Sequence, residues 1–431
     1  MKTYPQAAAV LAHNRRFIPG GVVSVNRAIE PPLVFARAQG ARLYDADGNS
    51  YLDYHAAFAP HILGHNDAAV TEAVERVLRD GASLYGAGAT RLEGELAERV
   101  CTHIPWVEQV QFLNTGSEAT YQAMRLARAA TGRDHVMVMQ GGYNGWHNDV
   151  ACNLMTPLAV LGERVSPGEY PFHPISAGIP LAHQALVHAV NFNDLDSVEW
   201  VCQRYPIACL ITEPVLQNIG VVPPAPGYLA GLRRLADEHG FVLVFDEVKT
   251  GFRHALGGHA EVSGVRPDLA VYGKALANGY PIAALGGRAD LMALCVDPDP
   301  ARRVLIAGTY NAHPVPVAAA IATIDRLAGG RVFEDLEALG ARLERGVAGL
   351  PLLVARQGSC LCFYFMDHAP VDWHDLALHH DSARDLAMRQ WLIEQGVYSF
   401  PLAAKQWSIS AAHTEADVDE TVEKIRTFFR S

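Results

Sequence analysis

The stretch Phe241-Val-Leu-Val-Phe-Asp-Glu-Val248 decides the fold of this chain, together with Leu269-Ala-Val-Tyr-Gly-Lys274. Each begins as a short apolar run, typical of a buried strand, and each reaches charged residues where the run ends. From about residue 65 to 310, similar runs alternate with helical patterns, at Val110–Leu113, His135–Met139 and Ile207–Thr212. The alternation predicts an α/β fold whose mostly parallel sheet carries helices on both faces.

Three polar residues follow strands of this predicted sheet: Glu213, Asp246 and Lys274. In open α/β sheets, ligands bind beyond the carboxyl ends of the strands, so these side chains are expected at one site. A lysine can form a Schiff base with an aldehyde, and a carboxylate can keep a pyridine nitrogen protonated. The pair Asp246 and Lys274 therefore suggests an enzyme that uses pyridoxal 5'-phosphate. A surface lysine and a strand-end cap are the alternative interpretation.

Both ends of the chain predict a second, smaller α+β domain. Ala41–Tyr54 alternates around a turn and indicates a hairpin, while Gly358–Phe365 and Trp407–Ala411 have the composition of strands. Thr414 and Asp417 form a capping-box pattern before a last helix. The predicted units are an N-terminal segment of the small domain at 1–64, a large cofactor-binding domain at 65–314 and the C-terminal part of the small domain at 315–431.

Composition restricts the class of protein. The 431 residues carry a net charge of −11, which disfavours nucleic acid as a partner. Half of the residues are hydrophobic, yet no apolar run approaches the roughly 20 residues that span a bilayer. The run Ala7–Ala12 is followed too soon by His13-Asn-Arg-Arg16 for a secretory signal, and the seven scattered cysteines are expected to be reduced thiols. These features predict a soluble cytoplasmic enzyme with no membrane or nucleic-acid partner.

The segment Asn114-Thr-Gly-Ser-Glu118 follows one predicted strand and opens a helical pattern. Free amides, a hydroxyl and the positive end of the helix dipole would make Thr115, Gly116 and Ser117 a phosphate-binding cup. An ordinary helix cap by Thr115 or Ser117 explains the same residues. The motif alone leaves both interpretations open.

Two further segments offer either ligand contacts or plain loops. Gly141–His147 follows the next predicted strand and presents Tyr143, whose ring can stack on a planar cofactor or pack in the core. Gly308-Thr-Tyr-Asn311 offers the Thr309 hydroxyl to a phosphate, or is only a loop. Neither segment decides the matter by itself.

The motifs occur in the order found in one family. The chain resembles the class III pyridoxal phosphate aminotransferases, most closely the branch that contains glutamate-1-semialdehyde 2,1-aminomutase. The resemblance covers nearly the whole chain, and the ordered series that carries it is Pro19–Arg27, Leu63–Asn66, Asn114–Thr120, Arg125–Arg128, Glu213-Pro214, Asp246–Val248, Gly273-Lys274 and Ala307–Thr309.

This resemblance implies fold type I, with a seven-stranded sheet in the large domain, and it implies roles for individual residues. Lys274 would form the Schiff base and Asp246 would bind the pyridine nitrogen. Thr309 would complete the phosphate cup of the partner subunit, so a homodimer with shared active sites is expected. The other implied cofactor contacts are Thr115, Gly116 and Ser117 at the phosphate, Tyr143 and Val248 on the two ring faces, and Glu213 and Asn218 around Asp246 and the ring hydroxyl.

The expected substrate residues are Ser24, Arg27 and Lys405. Ser24 and Arg27 stand where the aminomutase has a serine and an arginine that contact the substrate carboxylate; a surface charge is the alternative for Arg27. Lys405 stands where the aminomutase has a glutamate beside the substrate amine. The reversed charge would favour an acidic group, unless a loop shift leaves Lys405 solvent-exposed.

Two other departures from the family concern the turn and the loop after the second strand. Asn144 replaces a histidine common at its position. The stretch Asn153–His188 is longer than the mobile loop of the aminomutase, which puts retention of an intermediate in doubt. The chain is therefore predicted to be an aminotransferase that moves an amino group from an amino acid or amino-carboxylate to an oxo acceptor. Intramolecular transfer by an aminomutase is the alternative.

Three rival classes have weaker support. A nicotinamide dehydrogenase would need a third glycine after Gly86-Ala-Gly88, and a zinc hydrolase would rest on His61 and His65 alone, without a glutamate base or a predicted helix. A noncatalytic scaffold protein gives no reason for Lys274, Asp246 and the phosphate cup to occur together. No metal site is predicted.

Overall fold

A computed structural model describes residues 2–430 as a succession of strands and helices. The strands are β1 (Phe35–Gln39), β2 (Arg42–Asp45), β3 (Ser50–Asp53), β4 (Gln109–Leu113), β5 (His135–Met139), β6 (Val187–Val190), β7 (Ile207–Thr212), β8 (Val242–Glu247), β9 (Leu269–Tyr272), β10 (Ala283–Gly287), β11 (Leu353–Gln357), β12 (Cys360–Tyr364), β13 (Val397–Tyr398) and β14 (Trp407–Ser408). The helices are α1 (Pro5–Asn14), α2 (Ala68–Arg79), α3 (Arg91–His103), α4 (Gly116–Thr131), α5 (Leu158–Leu161), α6 (Leu181–Gln184), α7 (Leu195–Cys202), α8 (Tyr228–His239), α9 (Gly258–Ser263), α10 (Ala289–Met292), α11 (Pro314–Ala328), α12 (Val332–Gly346), α13 (Trp373–His379), α14 (Ser382–Glu394) and α15 (Glu415–Phe428).

The central element is a seven-stranded sheet with the order β4-β10-β9-β8-β7-β5-β6. Strands β6, β5, β7, β8 and β9 pair in parallel, whereas β10 is antiparallel to both of its neighbours. Because both β4 and β9 are antiparallel to β10, β4 runs in the same direction as β9. The prediction of a mostly parallel sheet is confirmed, and the carboxyl ends of six strands lie at one edge.

Strand β8 lies at the middle of this sheet, and all six of its residues are buried. Runs of valine and phenylalanine favour a strand that is covered on both faces. The register pairs Thr212 with Phe245 and Asp246 with Val271. Asp246, near the end of β8, therefore lies at the same edge of the sheet as Glu213 and Lys274, which follow the adjacent strands β7 and β9.

Helix α4 begins directly after the turn that follows β4. The Thr115 hydroxyl accepts the Glu118 amide at 3.2 Å, and the Glu118 carboxylate accepts the Thr115 amide at 3.0 Å, which completes a capping box. A buried face of small and aliphatic residues packs the helix against the sheet, and Gly132 ends it with a φ of 66°. The start of this helix is thus fixed at the sheet edge.

The two ends of the chain meet in smaller sheets. The hairpin strand β3 pairs in parallel with β13 in the sheet β1-β2-β3-β13, and β11, β12 and β14 form a third sheet. The hairpin itself pairs Leu43 with Tyr51. This pairing of N-terminal and C-terminal strands is the arrangement expected of a domain built from both ends; the boundaries 1–64, 65–314 and 315–431 stay a prediction.

Two strands of the large sheet are absent from the predicted set, namely β6 and β10. Strand β10 reads Ala283-Ala-Leu-Gly-Gly287, and its glycines and alanines lack strand propensity. A Cβ on Gly287 would lie 2.3 Å from the Asp268 carbonyl oxygen, so close backbone approach selects glycine there. Within residues 2–430, no helix has both the length and the apolar character required to cross a membrane.

Candidate active site

A cavity of about 270 Å³ lies beyond the carboxyl ends of the large sheet. It contains most of the residues predicted to contact a cofactor, although they come from strand ends, a helix start and two loops. The predicted residues that line it are Thr115, Gly116, Ser117, Tyr143, Glu213, Asn218, Asp246, Val248 and Lys274. The tertiary structure thus brings one set of distant motifs to one cavity.

Asp246 and Glu213 are the buried acids that line this cavity, and Asp246 is 4% exposed. Its Oδ1 accepts the Val248 amide at 3.0 Å, and its Oδ2 accepts the side-chain amide of Asn144 at 2.9 Å. Burial raises the pKa of Asp246, and both hydrogen bonds and the charge of Lys274 oppose that rise. A cationic ring nitrogen at the carboxylate would favour its ionised form.

Lys274 is only partly buried and faces the cavity directly after β9. It begins a short 3₁₀ turn, Lys274–Ala277, and has a φ of 47°, which is uncommon for a residue with a side chain. Burial lowers the pKa of the Lys274 amine, against the attraction of Asp246 and Glu213. A lowered pKa enlarges the neutral fraction of the amine, the form that attacks an aldehyde or accepts a proton.

The first residues of α4 line the opposite side of the cavity. Gly116 and Ser117 start the helix, so their amides have no intrahelical acceptor. The Ser117 hydroxyl accepts the Trp146 amide at 3.3 Å. A Cβ on Gly116 would lie 2.9 Å from Val248 Cγ2, and one on Gly145 would lie 2.9 Å from Ser117 Oγ. The backbone is therefore closely packed around a helix start that can bind an anion.

Tyr143 and Glu213 form the wall between β5 and β7. The Glu213 carboxylate accepts the Tyr143 amide at 3.0 Å through Oε1 and the Gln217 amide at 3.0 Å through Oε2. The Tyr143 side chain stays 37% exposed at the cavity, so the packed-core alternative for this ring is wrong. Burial raises the pKa of Glu213, and the positive charge of Lys249 opposes that rise.

Two further lysines bond neighbouring peptide carbonyls; Lys249 lines the cavity, and Lys405 lines a small separate pocket that shares Lys249. Lys249 Nζ donates to the Gln217 carbonyl at 2.9 Å, and Lys405 Nζ donates to the Asn218 carbonyl at 2.6 Å. Lys405 is 8% exposed, so the alternative of a solvent-exposed side chain is wrong. Burial lowers the pKa of Lys405 to about 8 and also lowers that of Lys249. Neither ammonium bonds a carboxylate.

Ser24, Arg27 and Thr309 lie apart from this cavity. Ser24 and Arg27 line a second cavity of about 680 Å³ together with Phe58 and Phe400, and Arg27 is exposed. Thr309 is exposed and lines a third cavity together with Asn311. The Asn311 side-chain oxygen accepts a hydrogen bond from the side-chain amide of Asn114 at 3.1 Å. Within the single chain, these three predicted residues do not meet Lys274.

The residues behind the rival classes have other partners. His65 Nε2 lies 2.7 Å from Asp53 Oδ2, and His61 Nδ1 lies 3.0 Å from the Asn278 carbonyl oxygen. Gly64 between them has a φ of 93°, so the two histidines are on a turn and not on a helix. Gly86 and Gly88 belong to an irregular segment between α2 and α3. Neither rival motif forms the site that its class requires.

Sequence reasoning missed the contacts of Asn144 and Lys249. Asn144 was recognised only as a departure from the family, yet its amide holds Asp246. Lys249 follows Asp246 by three residues. Its position just after the same strand is a sequence signal that it lies near the site. Asn144 cannot gain or lose a proton near neutral pH, unlike a histidine, so it remains a hydrogen-bond donor to Asp246 throughout that range.

The residues present fit pyridoxal phosphate. Free amides at the start of α4 suit its phosphate, the exposed face of Tyr143 suits its ring, and Asp246 and Lys274 suit its pyridine nitrogen and its aldehyde. The fold and this cavity define a pyridoxal-phosphate-dependent transferase of fold type I.

Comparisons with known proteins give the family. The family model described as class-III aminotransferase matches residues 24–351. "Glutamate-1-semialdehyde 2,1-aminomutase 2" of Brevibacillus brevis is 37% identical over 430 residues, which cover 97% of this chain and 96% of that protein. The chain belongs to the class-III aminotransferases.

Solved structures agree with this assignment. An omega-transaminase from Sphaerobacter thermophilus is 31% identical and superposes with a TM-score of 0.89 over 98% of this chain and 97% of that chain. A glutamate-1-semialdehyde-aminomutase from Pseudomonas aeruginosa PAO1, in complex with PMP, is 26% identical with a TM-score of 0.86 over 98% and 94% of the two chains. The protein is an enzyme whose cofactor is pyridoxal phosphate, and transferases and mutases are both among its relatives.

Proposed function

We propose that this enzyme transfers an amino group from an amino acid or amino-carboxylate to a separate oxo acceptor. One observation carries the choice of an acidic substrate: Lys249 lines the cavity that contains Asp246 and Lys274, and Lys405 bonds the carbonyl of the lining residue Asn218. Both amines bond carbonyls and no carboxylate. Positive charge near the reacting centre favours a substrate with an acidic group.

The roles proposed for the residues follow from their chemistry. When bound, the cofactor supplies an aldehyde that captures amines and a ring that withdraws electrons from the substrate. Lys274 Nζ would hold the aldehyde of the bound cofactor and would take the proton from the substrate α-carbon. Asp246 keeps the ring nitrogen protonated, and its Asn144 and Val248 hydrogen bonds keep the carboxylate in place.

The remaining roles concern binding. We assign the phosphate to Thr115, Gly116 and Ser117, the ring faces to Tyr143 and Val248, and the hydrogen bonds around the ring to Glu213 and Asn218. For the substrate, Lys405 is proposed at the acidic group, with Ser24 and Arg27 at the mouth of the neighbouring cavity.

Single-turnover mixing tests transfer against isomerisation. The pyridoxal-phosphate form, mixed with an amino acid and no acceptor, is expected to release one equivalent of free oxo acid and to stop. Addition of an oxo acid is expected to restart it. Formation of an isomerised amino compound in the absence of an acceptor would show a mutase instead.

Intramolecular transfer is the second candidate, because the Brevibacillus brevis relative carries the aminomutase name. A mutase must retain its intermediate through two half-reactions, whereas a transferase must release it. Glutamate-1-semialdehyde is therefore the decisive compound in the mixing experiment: full conversion to the isomeric amino ketone, without release of a product that has lost its amino group, supports the mutase.

We propose a homodimer in which Thr309 of each subunit reaches the phosphate site of the other. Thr309 is exposed, Tyr85 on the same cavity is 65% exposed, and Leu305 and Tyr310, from the same segment of the chain, are 67% and 62% exposed. Exposed apolar side chains that cluster often mark an interface. The Asn114–Asn311 hydrogen bond ties the Thr309 segment to the turn before α4.

Mixed dimers test this arrangement. Lys274→Ala and Thr309→Ala chains are each expected to be impaired, but coexpression places both defects in one site and leaves the other intact. Recovery of activity in the purified mixed dimer supports contribution between subunits. Absence of recovery, when both single variants are impaired and the dimer forms, contradicts it.

A cytoplasmic location is part of the proposal. All seven cysteines are free thiols, as in proteins of reducing compartments. Fractionation of the source cells, followed by detection of the native chain, tests this location.

A further inference from the structure

Two histidines and one aspartate converge on the surface near the C-terminal part of the chain, and none of them lines the cavity that contains Lys274. His368 precedes α13, while Asp375 and His379 lie one turn apart on that helix. His368 Nε2 lies 2.9 Å and His379 Nδ1 lies 3.0 Å from Asp375 Oδ1. The three ligand atoms all lie within 4.8 Å of one another.

Neighbouring groups hydrogen-bond His368 and Asp375 and so orient both side chains. His368 Nδ1 lies 2.6 Å from Asp367 Oδ1, which directs the other ring nitrogen, Nε2, toward Asp375. Asp375 Oδ2 accepts the Val371 amide at 3.1 Å, which leaves Oδ1 facing the two imidazoles. Carboxylate-oriented histidines and hydrogen-bonded carboxylates are the usual surroundings of metal ligands.

The scaffold beneath the cluster is rigid. Asp372 caps α13 by accepting the Asp375 amide at 2.8 Å, and Arg164 lies 2.9 Å from the same carboxylate. Trp373 Nε1 donates to the Thr156 carbonyl at 2.9 Å, and the His374 ring lies 3.0 Å from the Gly162 carbonyl oxygen. The position of Asp375 is therefore fixed by contacts that need no metal, which favours a pre-organised site.

We propose that His368, Asp375 and His379 form a binding site for a divalent transition metal ion such as Zn²⁺. Two imidazoles and one carboxylate are a donor set that suits zinc and its neighbours, whereas Mg²⁺ and Ca²⁺ prefer oxygen ligands alone. The side chains of His368 and His379 are 42% and 44% exposed, so water can complete the coordination. The site is independent of the amino-transfer chemistry.

A simpler interpretation is a set of hydrogen bonds in which both histidines donate to Asp375. His379 Nδ1 also lies 3.0 Å from the Asp375 carbonyl oxygen, which offers its proton a second acceptor. The two interpretations differ in what Zn²⁺ does. A metal replaces the shared protons and binds with defined stoichiometry, whereas hydrogen-bonded histidines bind no ion.

Calorimetric titration of the pyridoxal-phosphate-loaded enzyme with Zn²⁺ tests the site. The unmodified chain is expected to show a saturable event that excess Mg²⁺ does not displace. Asp375→Asn and His379→Ala should each lower the affinity for Zn²⁺ by at least about tenfold. Asp367→Asn should lower it by about tenfold, because Asp367 orients the His368 ring. His13→Ala, which removes an exposed histidine on α1, is the matched control and should change nothing.

Thermal unfolding in the absence of metal verifies that the variants fold, and crystals soaked in Zn²⁺ should show anomalous density between the three side chains. Equal isotherms for the unmodified chain, Asp375→Asn and His379→Ala overturn the proposal. So does the absence of any binding event at millimolar Zn²⁺. Loss of the event in His13→Ala would place the ion elsewhere and overturn it as well.

Discussion

The cofactor end and the proposed substrate end of the active site are built in different ways. At the cofactor end, Asp246 lies near the end of β8, Lys274 follows the adjacent strand β9, and Gly116 starts a helix at the same edge. At the proposed substrate end, Lys405 comes from the C-terminal part of the chain and Arg27 from the N-terminal part. One end depends on a single sheet, the other on contacts between distant segments.

This difference separates the cofactor residues from the proposed substrate residues in physical terms. A sheet edge positions side chains through strand register, so the cofactor residues have fixed relations that substitutions elsewhere cannot easily change. Lys405 reaches Asn218 across 187 residues of sequence through loops, which tolerate change more readily. Substitutions at the two ends should therefore differ in the size and in the kind of their effects.

The largest effect is expected for Lys274→Ala. Turnover should fall by about 10²–10⁴-fold or more, because the proton-transferring amine is lost. The visible absorbance of covalently attached cofactor should disappear as well. Lys424→Ala, which removes a surface lysine paired with Glu420 on α15, should leave both unchanged. Retained turnover in Lys274→Ala would disprove the role of this lysine.

Asp246 and Glu247 allow a matched test within one strand. Asp246→Asn should lower turnover by about 10²–10³-fold, because it removes a preorganised charge from the ring nitrogen. Glu247 points away from the cavity and accepts the His259 and Ala260 amides at 2.9 and 2.8 Å. Glu247→Gln should instead lower the free energy of unfolding by about 1–3 kcal/mol.

Steady-state kinetics and thermal unfolding of both variants distinguish the two roles. If Glu247→Gln lost turnover while its unfolding midpoint stayed unchanged, the assignment of the two acids to different roles would be wrong.

A moderate and pH-dependent effect is expected at Lys405. Burial lowers the pKa of this lysine from 10.5 to about 8, so its ammonium predominates below pH 8 and its neutral amine above. The kcat/KM for a carboxylate substrate should therefore fall as the pH rises through about 8. Lys405→Met should lower kcat/KM at pH 7 by about tenfold, equivalent to about 1.4 kcal/mol, and should lack that fall.

An amine substrate without a carboxylate is the internal control for Lys405, since its kcat/KM should be insensitive to the substitution. An equal loss for both substrates would mean that Lys405 supports the structure and does not select the acidic group.

The smallest effect is expected for Arg27→Gln. An exposed guanidinium contributes about 0.2–1 kcal/mol to an ion pair, so the KM for a carboxylate substrate should rise by about 1.4- to fivefold with little change in kcat. Arg16→Gln, an exposed arginine just after α1, serves as the control. A hundredfold loss would indicate that Arg27 moves into the active cavity and binds the substrate directly.

Much of the cofactor end was predictable from the sequence because local rules govern it. The apolar run before Asp246 forms a strand, and the capping box of Thr115 and Glu118 starts a helix, without reference to distant residues. The family resemblance then supplied the roles of the individual residues. The substrate end was harder, since the exposure of Lys405 could not be read from its neighbours.

The sequence by itself determined the alternating strands and helices, the residues at the strand ends and the kind of cofactor that they suit. Only the tertiary structure decided that β10 inserts between β4 and β9, that Asn144 holds Asp246, and that Lys249 and Lys405 meet neighbouring carbonyls. Hydrophobic periodicity and capping act over a few residues and are visible in the sequence. Contacts between segments depend on how the whole chain packs, so the substrate end became visible only in the folded protein.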